Sequence, residues 1–173
     1  MPFAGNTDIE TTVSPNNADI LGGPRITLTE DGYLLKVHGY RRCTVPIGSG
    51  KYRYVIYDEN GLTPPSPVNY KGETVENTYS LEAGFSWHEF EFAAPLLLAK
   101  GTYYVMAWGD DVYSSRIKAM GVAGNIHWQI IVYGVAPDPF VSDGSNANTG
   151  SLYVEYRPTP VNVIRRKACH GGI

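Results

Sequence analysis

Between Phe85 and Asp111 (FSWHEFEFAAPLLLAKGTYYVMAWGDD) apolar and polar residues alternate with a period of two, twice over. In Trp87–Phe92, His88, Phe90 and Phe92 fall on one face and Trp87, Glu89 and Glu91 on the other. In Thr102–Trp108, Tyr103, Val105 and Ala107 are set against Tyr104, Met106 and Trp108. Such alternation in β-branched and aromatic residues predicts two strands, joined by a short apolar link with Pro95 and a turn at Lys100-Gly101. The same period recurs at Arg25–Thr29, with Ile26 and Leu28 on one face. It recurs at Tyr33–Tyr40, with Leu35 and Val37 facing in and Lys36 and His38 facing out. In Lys51–Tyr57, Tyr52, Tyr54 and Ile56 alternate with Lys51, Arg53 and Val55. His127–Tyr133 and Ser151–Tyr156 complete the strong set, with polar Glu73–Leu81 as an edge strand and Val161–Ile164 as a short last one. In His127–Tyr133 both faces are apolar, which predicts cover on both sides.

The punctuation between these runs is that of an all-β chain. Glu30-Asp31-Gly32 and Asp58-Glu59-Asn60-Gly61 are turn sequences, because Asn-Gly supplies the positive φ of a tight reversal. The proline-rich Leu62–Val68 cannot enter a sheet interior and reads as a surface excursion. Ala136–Thr149 (APDPFVSDGSNANT) is a long loop of turn formers. The one helix candidate, Ser114–Gly121, has poor periodicity. Residues 1–24 are polar and broken by Gly5, Pro15, Asn16-Asn17, Gly22-Gly23 and Pro24, and read as an extended arm or a wandering edge segment, held by neighbouring subunits. About eight or nine strands with no crossover helix predict an antiparallel two-sheet β-sandwich of jelly-roll type with extended N- and C-terminal arms. The expected division is an arm at 1–24, a sandwich at 25–156 and a basic tail at 157–173.

Charge sharpens this division. Residues 1–155 carry 10 basic and 17 acidic side chains, a net −7, whereas residues 156–173 carry Arg157, Arg165, Arg166 and Lys167 with no acid, a net +4. The body lacks the clustered cations that phosphate contacts require, so no nucleic-acid partner is expected. The basic end, with Arg165, Arg166 and Lys167, reads as an arm that docks on an acidic neighbour or as a solvated tail. The N-terminus has neither a basic region nor an apolar run and reads as no secretory signal, and no stretch approaches a membrane span.

Reactive chemistry is sparse. His38, His88, His127 and His170 form no zinc-binding spacing, and Cys43 and Cys169 form neither a metal pattern nor a redox pair, though they could bridge. By parity His88 belongs to a core or edge face. Asp110-Asp111 and Asp143 read as turn acids rather than a Ca²⁺ loop, and no hydrolase elbow or phosphate-cradling loop occurs. No enzyme, cofactor or metal is therefore expected. Aromatic residues are the remaining lead. Trp87, outward beside Glu89 and Glu91, suits either subunit contact or sugar stacking. Trp108 and Trp128 read as core.

Several stretches occur in a familiar order: Gly5-Asn6-Thr7, Leu28-Thr29-Glu30-Asp31-Gly32, VIYDENG at 55–61, LLLAKGTYYVMAW at 96–108 and GSLYVEY at 150–156. Together they resemble β-sandwich modules of phage tail and virion proteins and of some microbial surface proteins. Tyr104 stands where that family often has Trp, and the tail from Arg157 lies outside the resemblance. The family brings no catalytic motif; its members are structural or binding parts, often in repeated copies. The resemblance implies a non-enzymatic virion structural protein, such as a capsid decoration, tail fibre or spike module. Its expected partners are itself, as a homo-oligomer with three copies the working number, and other virion proteins. The alternative is a carbohydrate-binding adhesin or receptor-binding module, on a virion or a cell surface, taking a host glycan through Trp87 and Tyr104.

Overall fold

The computed structural model describes residues 1–16, 18–43, 49–110, 113–119 and 125–160. In chain order their strands are β1 (Phe3–Asn6), β2 (Thr12–Asn16), β3 (Ile20–Leu28), β4 (Gly32–Cys43), β5 (Ser49–Glu59), β6 (Pro67–Glu73) and β7 (Asn77–Ser80). There follow β8 (Ser86–Leu98), β9 (Gly101–Gly109), β10 (Tyr113–Ala119), β11 (Ile126–Ile130), β12 (Gly144–Asn146), β13 (Asn148–Gly150) and β14 (Leu152–Pro158). They form two seven-stranded antiparallel sheets packed face to face. The first runs β1-β14-β4-β10-β13, with β8 on β4 and β2 on β10. The second runs β12-β11-β3-β9-β5-β6, with β7 on β5. Successive strands β3 and β4, β4 and β5, and β8 and β9 lie in opposite sheets, so the chain crosses the core at each connection. The fold is an all-β, two-sheet sandwich.

The alternation predicted in β8 and β9 places the core. Phe90 and Phe92 point inward with Leu34, Val37 and Val154 of the first sheet, against Ile26, Leu28, Tyr54, Ile56, Tyr103 and Val105 of the second. Burial of each such side chain is worth roughly 1.5–3 kcal/mol. β8 runs on through the link assigned to Pro95. Its pairing with β4 jumps from Lys36↔Glu91 to Leu34↔Leu96, so Phe92–Pro95 leave the ladder, Ala93–Pro95 are exposed and the proline needs no ladder partner. The same shift turns Leu34 inward, fully buried, in place of the expected Leu35.

Other expectations differ from the structure, beginning with the long loop expected at Ala136–Thr149, which holds β12 and the start of β13. The helix candidate at 114–121 is strand β10 over Tyr113–Ala119, paired with β2, β4 and β13, because long-range pairing overrides a weak local preference. The strand predicted for 127–133 stops at Ile130, leaving Ile130 and Val132 exposed. The N-terminal stretch, read as an arm or a wandering edge segment, pairs within its own chain. β1 pairs with β14 (Phe3↔Glu155 through Asn6↔Leu152), β2 pairs with β10, and β3 starts at Ile20. Gly22-Gly23-Pro24, read as a break, lies inside β3. A Cβ on Gly23 would stand 2.0 Å from the Val105 carbonyl oxygen, and one on Gly22 2.9 Å from Trp128 Cβ. Glycine is required there by close approach rather than by a turn. The strand expected at 161–164 lies outside the described residues.

A third layer lies over the second sheet. Leu21, Val55, Tyr57, Tyr104, Met106 and Trp108 face away from the central core and are buried under Phe140, with Ile131, Tyr133 and Ala136 packed beside it. The segment from Ile131 to Phe140 is thus a lid on the second sheet, and β9 is covered on both faces. The first sheet has no such lid among the described residues.

Candidate functional site: the outer face of the first sheet

Strand register assembles the site. Tyr153 of β14 pairs with His38 of β4, and His38 with Glu89 of β8. One row further, Glu155 pairs with Lys36, and Lys36 with Glu91; on the opposite side of the His38 row, Tyr40 pairs with Trp87. Period-two geometry places all of these on the outer face, where His38 alone among them is buried. The aromatic members form a continuous stripe. Tyr40 lies 6.0 Å from Phe85 and 5.3 Å from Trp87, Trp87 lies 5.2 Å from Tyr153, and Tyr153 lies 5.2 Å from Phe3, ring centre to ring centre. Tyr40, Trp87 and Tyr153 are half-buried and Phe3 is exposed. The stripe runs from β8 across β4 and β14 to the edge strand β1.

Charge is arranged around this stripe. Lys36 Nζ is paired with Glu89 and lies 3.1 Å from Glu91 Oε1, and hydrogen bonds to both carboxylates raise its pKa above the ordinary lysine value. His38 stacks on the Tyr153 ring at 4.5 Å, nearly parallel, with Nε2 2.9 Å from Glu155 Oε1. Burial, with Glu155 and Glu89 nearby, pushes the Tyr153 hydroxyl up in pKa. Cations also stand over rings at two ends of the face: Arg157 lies 5.5 Å over the Tyr33 ring and Arg42 5.3 Å over Phe85. The middle of the face therefore sets three carboxylates, Glu89, Glu91 and Glu155, against one lysine and one histidine.

Two edges of the same sheet, at β8 and at β1, offer little for strand addition. Residues 74–77 lie along β8 and stitch the sheets together. Thr74 N donates to Tyr54 O at 2.9 Å, Val75 N to Glu91 O at 2.8 Å, and Asn77 Nδ2 to Glu89 O at 3.1 Å. At the other edge β1 is only four residues long and carries Pro2 just outside it. Short, capped edges leave the broad face as the place for contact.

The predicted site residues separate in space. Trp87 lies on the stripe. Tyr104 does not: it is fully buried on the far side of the second sheet, its hydroxyl donating to Pro65 O at 3.1 Å and its ring edge-on to His127. Burial raises its pKa to about 12. Strand parity alone did not reveal the lid that covers this face. Trp108 is core, as expected, and donates from Nε1 to Ile131 O; Trp128 is half-buried against Gly144. Arg165, Arg166 and Lys167, with Cys169 and His170, lie outside the described residues.

The other chemical candidates have structural partners. Asp110 Oδ1 accepts from Lys51 N at 2.6 Å, and Asp143 Oδ2 from Ile130 N at 2.7 Å; Asp111 lies outside the described residues. His127 bridges Ser142 Oγ and Pro65 O. Ser86 Oγ and Glu82 Oε1 both meet His88 at the same nitrogen, Nε2, at 3.1 Å each. A proton relay needs serine and acid at opposite ring nitrogens, so this trio is not arranged as a triad. Burial, then the nearby Arg41 guanidinium, lowers the His88 pKa against the opposing pull of Glu82. Arg41 itself is buried between Tyr52 at 4.4 Å and Phe90 at 4.5 Å, a core cation that alternation on β4 had no means to announce.

Among the described residues no group of three or more His, Cys, Asp or Glu side chains is placed to hold a metal ion. Nor is any helix among them long and apolar enough to cross a membrane. No protein-family model matches the chain, and no curated protein matches it.

Proposed function

We propose that the protein is a non-enzymatic structural module that assembles with copies of itself through the outer face of its first sheet. The particle is the setting that the sequence resemblance implies, and virion decoration, fibre or spike are its candidate places. The observation that carries the reading is the aromatic stripe, left uncovered by the described residues on a sandwich whose other outer face has its own lid. Half-buried Trp and Tyr on a broad sheet face offer large amphipathic area at little entropic cost, which suits subunit contact.

Ring orientation favours a protein contact over a sugar platform. Adjacent rings are tilted by 57° (Tyr40–Trp87), 62° (Trp87–Tyr153) and 79° (Phe3–Tyr153), so they pack edge to face with one another rather than presenting coplanar faces to a saccharide. Glycan binding is the second reading, favoured by the exposed carboxylates beside Trp87. Sedimentation equilibrium of the wild-type protein and of a Trp87→Ala, Tyr153→Ala double variant tests the first reading. A concentration-dependent oligomer that becomes a folded monomer in the variant supports it; wild-type protein that stays monomeric overturns it. A glycan array and sugar titration of tryptophan fluorescence test the second.

A further inference from the structure

We propose that the occupant of this face is the basic C-terminal segment 161–173 of a neighbouring copy. The inference rests on the assembly reading and names the partner of the same surface.

Charge complementarity carries it. The middle of the face holds Glu89, Glu91 and Glu155 around Lys36, with a 65% exposed side chain at Glu91 and 48% at Glu89. Segment 161–173 (VNVIRRKACHGGI) holds Arg165, Arg166 and Lys167 and no acid, preceded by the apolar Val161, Val163 and Ile164. An apolar stretch followed by three cations matches an aromatic stripe bordered by carboxylates. Guanidinium groups favour such a surface, since they both stack on rings and fork onto carboxylates. The face already does this at its two ends, where Arg157 covers Tyr33 and Arg42 covers Phe85. Only the central, acid-rich part lacks a guanidinium over its rings among the described residues.

Chain reach is consistent. β14 ends opposite Gly32, and Thr159 is fixed there by its N–H and hydroxyl on Asp31 O. Lys36 and His38 lie four and six residues along β4, roughly 13 and 20 Å away at a strand rise of about 3.3 Å. Arg165 follows Pro158 by seven residues, a reach of at most about 23 Å, as long as the acidic rows of such a face.

A charge exchange in the full-length protein tests the proposal, with circular dichroism confirming the fold of each variant. Reversing the segment (Arg165→Glu, Arg166→Glu, Lys167→Glu) is expected to weaken self-association at least about tenfold, as is reversing the face (Glu89→Lys, Glu91→Lys). Combining the two sets should restore association to within about threefold of wild type, and raising salt should weaken only the wild-type and combined proteins. Association unchanged by the reversed segment, or no restoration in the combined protein, overturns the proposal. If Trp87→Ala still dissolves that assembly, the face is a contact with a different occupant and the reading above stands. If Trp87→Ala changes nothing either, both fall.

Discussion

The two sheets carry similar aromatic content on their outer faces and treat it in opposite ways. On the second sheet, Tyr57, Tyr104 and Trp108 are fully buried, and each polar tip reaches a backbone carbonyl: Pro137, Pro65 and Ile131 respectively. On the first, Tyr40, Trp87 and Tyr153 pack on one another, and none of their polar tips has a partner among the described residues. A buried Tyr or Trp needs its hydrogen bond satisfied, whereas a half-buried one can leave it to water or to a second molecule. Covered aromatic area serves stability; uncovered aromatic area is free to serve association.

Substitutions on the two faces should therefore diverge. Trp108→Ala, under the lid, is expected to cost about 4 kcal/mol in urea unfolding, the largest effect, through a cavity that the sheet cannot collapse. Phe140→Ala should cost about 3 kcal/mol and raise hydrogen exchange across β9, because the lid loses its central anchor. Trp87→Ala should cost only about 1 kcal/mol while abolishing assembly; a loss near that of Trp108→Ala would place Trp87 in the structural class and end the comparison.

Acid should act on both sheets through their buried histidines. His127, which holds the lid side through Ser142 and Pro65, has its pKa lowered from 6.5 by burial, and His88 is lowered likewise. The unfolded chain binds these protons first, so stability is full above about pH 6.5 and declines as pH falls below it. Melting temperature should drop between pH 7.5 and 5, and His127→Gln should flatten that slope. Least of all, Glu89→Gln should leave the urea unfolding midpoint nearly unchanged, as expected for an exposed ion pair.

What was legible in the sequence was what strand parity can carry. Alternation placed Phe90 and Phe92 inside and Trp87 outside, and named Trp108 as core. It failed where the deciding partner is distant in sequence. Gly22-Gly23-Pro24 spells a turn locally, yet the crowding by Val105 and Trp128 makes it the middle of a strand. Phe3–Asn6 is too short and polar to announce itself, and only the edge of β14 makes it a strand. Tyr104 was assigned to a surface because parity distinguishes two faces of a strand but not whether a loop folds over one of them. The stripe itself was hidden for the same reason: Phe3, Tyr40, Trp87 and Tyr153 come from four strands, and only register puts them in contact.

The pairing of β1 with β14 carries a consequence for synthesis. The ladder from Phe3↔Glu155 to Asn6↔Leu152 joins the two ends of the described chain, and β4 receives its β14 partner only when residues 152–158 have been made. A growing polypeptide on the ribosome must then hold β1 and one side of β4 unsatisfied until residues 152–158 have emerged. Closure of the sandwich accordingly waits on a loop of some 150 residues, and is slow by the standards of chains with local contacts.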